Sequence, residues 1–150
     1  MESADMKQGL IRALITLGVL LILLGLVTGL LVPELANPRM ALASHMEGVM
    51  SGMLLVVMGL IWHRLNLGSG FMRAAAGLLA YGALANWLNP LLGAVWAAGS
   101  SVMPMAGMGR RGTPAQEAII GFLAVTLALS LLAGMGLVLS GLLRKGPGAA

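Results

Sequence analysis

Cysteine is absent from the 150-residue chain, which excludes disulfides, iron–sulfur ligation, thiolate-bound haem and covalent c-type haem attachment. Charge is nearly as scarce: Asp, Glu, Lys and Arg make up 9% of the residues, where a soluble domain carries about 25%. The nine basic residues stand singly or in pairs at the ends of apolar segments. They form no stripe with interleaved aromatics, so a nucleic-acid partner is excluded. The chain also has no phosphate-binding glycine loop opening from a strand, no zinc-ligand spacing and no Ser-His-Asp set, which removes the common soluble mechanisms.

What remains is apolar. Hydrophobic residues are 59% of the chain and the mean hydropathy is +0.95, the composition of an integral membrane protein. About 20 apolar residues cross the hydrocarbon core, so the chain has room for four spans and short connections. The expected fold is all-α, a four-transmembrane-helix bundle in a single membrane domain, with spans at 9–32, 39–62, 73–96 and 115–143.

Each boundary has a chemical reason. Met1 to Gln8 is polar, and Arg12 near the start of the first span can snorkel to the interface. That span is longer than the apolar core of a signal peptide, and no small-residue cleavage site follows it. Pro33, Glu34, Asn37 and Pro38 make a turn, with Pro38 suited to start the second helix. His63, Arg64, Asn66, Gly68, Ser69 and Gly70 make the next, with His63 at the interface. Pro90 predicts a kink or local unwinding in the third span. Residues 99–114 are rich in Gly, Ser, Met and Pro and read as a surface loop, partly re-entrant. Thr113 then caps the fourth helix with Pro114 at its first position, Arg144-Lys145 stops it, and Gly146 to Ala150 is a frayed tail. Small residues recur at four-residue spacing at Gly25/Gly29, Gly48/Gly52, Ser130/Gly134 and Gly136/Ser140. In lipid such faces let backbones approach and supply the packing.

The second span carries His45 and Glu47 into apolar surroundings. An ionisable group in a membrane span costs several kcal/mol at the centre of the bilayer, so its presence points to function. His45 lies about 9 Å past Arg39, and Asn89, Asn86 and Tyr81 lie about 10, 15 and 22 Å before Trp96, at a rise of 1.5 Å per residue. Polar residues of the second and third spans thus share a layer in the half of the membrane away from the termini. His45, Gly48 and Gly52 fall on one face of the second helix, leaving a flat space that a porphyrin could fill, while Glu47 and Ser51 fall on another, about 160° and about 120° from His45. Two readings stand for each group. His45 is either hydrogen-bonded to a neighbouring carbonyl or a haem or metal ligand. Glu47 is either a protonated carboxyl between helices or a proton-transfer group. Tyr81 and Asn86 either join helices or orient substrate. The 12 methionines are adaptable packing, with Met103, Met105 and Met108 as the alternative soft ligands.

Asn37-Pro38-Arg39-Met40 followed by Ser44-His45-Met46-Glu47-Gly48-Val49, with Tyr81-Gly82 and Ala85-Asn86-Trp87, resembles the hydroxylaminobenzene mutases and, more distantly, the styrene oxide isomerases. The resemblance covers essentially the whole chain. It implies an isomerase that turns an arylhydroxylamine, a small aromatic substrate, into an aminophenol, or opens an epoxide to an aldehyde. It also implies a homotrimer in membrane lipid, with haem b between subunits and His45 as iron ligand. Gly48 and Gly52 would then border the haem, and Tyr81, Asn86, Glu47 and Ser51 would serve the substrate. Ser51 stands where these relatives are expected to carry asparagine, which bears on substrate identity. A non-enzymatic haem carrier and a purely structural bundle are the competing readings.

Lys7, Arg12, Arg64, Arg73, Arg144 and Lys145 lie on the side of the termini; Arg39, Arg110 and Arg111 lie opposite. The excess of basic residues places both termini on the cytoplasmic side of the inner membrane. A C-terminal fusion to a reporter active only in the periplasm should be silent, and its activity would reverse this orientation.

Overall fold

The computed structural model describes residues 2–144; Lys145 and the tail from Gly146 to Ala150, read above as part of the stop and a frayed end, lie outside the described residues. Every regular element among them is helical. The order is α1 (Glu2–Leu30), a 3-10 turn (Val32–Glu34), α2 (Pro38–Ile61), a second 3-10 turn (Trp62–Arg64), α3 (Ser69–Trp96), the short α4 (Pro104–Gly107) and α5 (Pro114–Leu143). The four long helices are each apolar and long enough to cross a membrane. This is a multi-pass membrane protein.

The helix starts follow their caps. Asn37 has extended backbone (φ −124°), and its Oδ1 accepts the Arg39 and Met40 amides at 3.1 and 3.3 Å, while Pro38 fills the first position, where an N–H has no helical partner. At α5 the capping is reciprocal: Thr113 Oγ1 accepts the Gln116 amide at 3.3 Å and Gln116 Oε1 accepts the Thr113 amide at 2.8 Å. Two helices begin earlier than the hydropathy suggests, α1 at Glu2 and α3 at Ser69. Neither polar lead-in contains a proline, so the helical ladder extends outward from the membrane. The expected unwinding at Pro90 does not occur. α3 runs unbroken to Trp96, its turn held by the buried packing of Asn89, Gly93 and Ala94, although Pro90 leaves the Asn86 carbonyl without its helical N–H.

Residues 97–113 form a fixed cap over one end of the bundle. Glu117 Oε1 accepts the Gly99 and Gly112 amides at 2.8 and 3.0 Å, and its Oε2 accepts the Ser101 hydroxyl at 2.5 Å. Asn37, 1% exposed, ties this cap to α2 and α3: its amide nitrogen donates to the Ala106 carbonyl at 3.1 Å and its backbone N–H to the Ala94 carbonyl at 3.0 Å. Arg110 adds a bond to the Ala36 carbonyl.

α1 packs along α2, α2 along α3, and α5 on α3. The main core holds Leu14, Leu21, Leu55, Met58, Trp62 and Leu79. α5 buries Ile120, Ser130, Gly134, Val138 and Gly141, while Phe122, Leu132 and Leu143 stay exposed, as expected of a helix turned mostly to lipid. The tightest approach is α1 on α2. A Cβ added to Gly25 would stand 2.8 Å from the Val49 nitrogen and 3.0 Å from the Gly48 carbonyl carbon. Gly136 differs from the sequence reading: it is exposed and nothing lies within 4 Å of an added Cβ, so it seats no helix in this chain.

Gly25→Ala should therefore lower stability by about 1–3 kcal/mol, because the atoms it meets are backbone and cannot step aside. Gly136→Ala should leave stability unchanged or raise it by up to about 1 kcal/mol. Thermal unfolding of both variants in detergent reads the contrast.

Candidate functional site

α2 presents two chemically different faces. On the first, His45 Nδ1 lies 2.8 Å from the Gly25 carbonyl. A carbonyl only accepts, so Nδ1 carries the hydrogen, and in the neutral ring Nε2 is then the nitrogen with the lone pair. The ring fits against α1 because Gly29 has no side chain: a Cβ there would come 2.7 Å from Nδ1. Beside it, Ser44 donates to the Trp87 carbonyl at 2.8 Å, Trp87 Nε1 donates to Thr28 Oγ1 at 3.1 Å, and Thr28 donates to the Leu24 carbonyl at 2.8 Å. This relay joins α1, α2 and α3.

These residues suit haem b in one respect and not in another. A ligating histidine ordinarily donates its second ring N–H to a carbonyl, as His45 does, and a porphyrin brings its own four nitrogens, so one histidine suffices. Among the described residues no group of three or more His, Cys, Asp or Glu stands ready for a metal held by protein alone. The flat space expected above Gly48 and Gly52 is not there. Gly48 faces Gly25 and Trp87, and Gly52 faces Gly18 and Ile22, because α1 uses those glycines for its own approach.

On the second face Asn86 of α3 reaches α2, donating from Nδ2 to Glu47 Oε2 at 2.5 Å and to Ser51 Oγ at 3.1 Å. Both amide hydrogens are thereby committed. Next to this cluster opens a cleft of about 220 Å³ lined by Ala43, Glu47, Asn86, Asn89, Pro90, Met103, Ala124 and Leu127. An apolar cavity of about 150 Å³ takes benzene, so the cleft accommodates one substituted aromatic ring.

The sequence matches the styrene oxide isomerase family over residues 10–143. The chain belongs to that family. It is 50% identical over 138 residues to hydroxylaminobenzene mutase HabB of Ectopseudomonas oleovorans, covering 92% of this chain and 84% of the relative. To hydroxylaminobenzene mutase HabA of the same organism it is 44% identical over 127 residues, 85% of this chain and 94% of the relative. No solved structure matches. The protein is an enzyme, an isomerase of the mutase kind, and the carrier and structural readings give way to that.

In this styrene oxide isomerase family member the expected site residues separate. Glu47, Ser51 and Asn86 come together as their layer and face suggest. His45 turns the other way, to α1. Tyr81 is not brought to the cluster: it is 42% exposed and its hydroxyl meets Thr126 Oγ1 of α5 at 2.6 Å. Thr126 spends its own hydrogen on the Phe122 carbonyl, which makes Tyr81 the donor. Met103 borders the cleft, while Met105 and Met108 are exposed beyond it. Sequence reasoning missed Thr28, whose role needs the register of α1 against α3, and placed Asn89 only as one polar residue of the layer.

Asn86→Leu should cost about 1–3 kcal/mol of stability, since Glu47 and Ser51 lose their donor in a half-buried place, whereas Tyr81→Phe removes one exposed bond and should cost no more than about 1 kcal/mol. Unfolding midpoints in detergent separate the two.

Proposed function

We propose that this isomerase converts an arylhydroxylamine into a 2-aminophenol by moving the hydroxyl group from nitrogen to the ortho ring carbon, with haem b held by His45. The observation that carries this reading is a carboxylate, Glu47, fixed at one oxygen by Asn86 beside a cleft the size of one aromatic ring. The name of the relative at 50% identity supports the substrate class. The reaction balances within the substrate: the N–O bond breaks, a C–O bond forms, the ortho carbon loses a proton and the nitrogen gains one, with no oxidant or reductant.

Ferric haem held by His45 would supply Lewis acidity, the chemistry that favours cleavage of an N–O bond. His45 would hold it through Nε2, its ring fixed by the Nδ1 hydrogen bond to Gly25. Glu47 Oε2 is taken by Asn86, which leaves Oε1 to accept the ortho proton and return a proton to nitrogen. Ala43, Met103 and Leu127 line the cleft with apolar surface and keep bulk water from the substrate. His45 and Glu47 lie on different faces of α2, so the reading that uses both is a homotrimer in which His45 of one chain serves the cleft of its neighbour. It would work in the inner membrane with both termini cytoplasmic. Opening of an epoxide to an aldehyde is the second reading, favoured by the family match.

The test is turnover of phenylhydroxylamine by the purified protein in heavy-oxygen water. Formation of 2-aminophenol without label is the expected outcome, because the hydroxyl migrates within the substrate. Labelled product, or activity confined to epoxides, would overturn it. His45→Ala should lose the Soret band, and Glu47→Gln, which keeps an acceptor for Asn86, should retain haem and fold but lose about a hundredfold or more in kcat.

A further inference from the structure

Asn89 is the polar group of the cleft that the chemistry above leaves unused. It is 3% exposed, its Oδ1 is buried with no hydrogen-bond partner, and it lines the same cleft as Glu47 and Asn86. Three residues after Asn86, it occupies nearly the same face of α3. An orphaned amide inside an apolar bundle is destabilising, and an apolar side chain of the same shape would remove the penalty. A polar group kept at that cost beside a ring-sized cleft calls for a ligand carrying the missing partner.

We propose that Asn89 is the specificity residue that selects nitrogen-bearing substrates, its amide oxygen accepting the N–H of the arylhydroxylamine; this rests on the reaction proposed above. The terminal torsion of asparagine is soft and roughly two-fold, so a half-turn of the amide brings its oxygen to the cleft and puts its nitrogen in the buried place. An arylhydroxylamine offers an N–H next to the ring. An epoxide has only an acceptor oxygen, and its binding would leave the amide oxygen unpaired. A single buried acceptor therefore divides the two substrate classes of the family, since sites built to pair a substrate N–H reject analogues that lack it. Pairing at Asn89 also fixes the nitrogen end of the substrate, which presents the adjacent ortho carbon to Glu47.

The experiment compares binding of phenylhydroxylamine with that of benzyl alcohol, in which CH2 replaces N–H, to the full-length holoprotein in lipid nanodiscs, with empty nanodiscs as the blank. The wild type should prefer phenylhydroxylamine roughly tenfold or more, and Asn89→Leu and Asn89→Ala should lose most of that preference. Their thermal stability should stay level or rise, because the orphaned amide is gone. No preference in the wild type, an unchanged preference in the variants, or a large loss of stability in both would overturn the assignment, the last by giving Asn89 a structural role. Turnover measured alongside keeps the two proposals apart. An Asn89-dependent preference without product defeats the reaction and leaves Asn89 standing; product without that dependence does the reverse.

Discussion

The contact on which the rest depends is the approach of α1 to α2 at Gly25 and Gly48. Two backbones in lipid gain nothing from the hydrophobic effect, so they associate through dispersion and hydrogen bonds, both of which require closeness. With no Cβ at either position, the helices meet backbone to backbone. That closeness puts the Gly25 carbonyl within reach of the His45 ring and fixes which ring nitrogen carries the proton. It also claims one side of α2 for α1, so that Glu47 and Ser51 turn toward α3 and meet Asn86.

Around this contact the chain settles its polar groups internally, as a membrane interior demands. Asn37 serves the start of α2, the end of α3 and the short α4 at once. Glu117 gathers the two ends of the 97–113 segment on one carboxylate, and Ser44, Trp87 and Thr28 link three helices. Among the described residues three buried side-chain atoms lack a partner, Trp62 Nε1, Ser100 Oγ and Asn89 Oδ1, and of these residues Asn89 is the one that lines the ring-sized cleft. Pro90 follows it and removes the N–H that the Asn86 carbonyl would have used. The unpaired Asn89 oxygen and the carbonyl that lacks its helical N–H thus lie within one turn of α3.

The helices differ in how firmly they are held. α3 packs on both α2 and α5, whereas α5 reaches the others through α3, and its long apolar face is left outward. The cleft lies along this looser seam, between residues of α2, α3, α5 and the cap segment. An apolar substrate dissolved in the bilayer has a short way to such a place, while the cap, pinned by Asn37, Arg110 and Glu117, covers the end that faces water.

The sequence by itself determined the four apolar helices, the caps at Asn37 and Thr113, and the polar layer shared by α2 and α3. These follow from local chemistry: run length, the missing N–H of proline, side chains that bond a nearby amide, and a fixed rise and turn per residue. The pairing of Glu47 and Ser51 with Asn86 was legible for the same reason, as depth and face are both counted along a helix. Only the tertiary structure decided which helix lies against which face. Gly48 and Gly52 read equally well as a cradle for a porphyrin or a seat for α1, and the register of α1 chose the seat. Tyr81 shares the layer but faces α5, and Asn89 counted only as one polar residue of the layer until its oxygen proved to have no partner. Helical periodicity gives an angle about each axis; the rotation of one helix against another is set by packing that involves residues far apart in the chain.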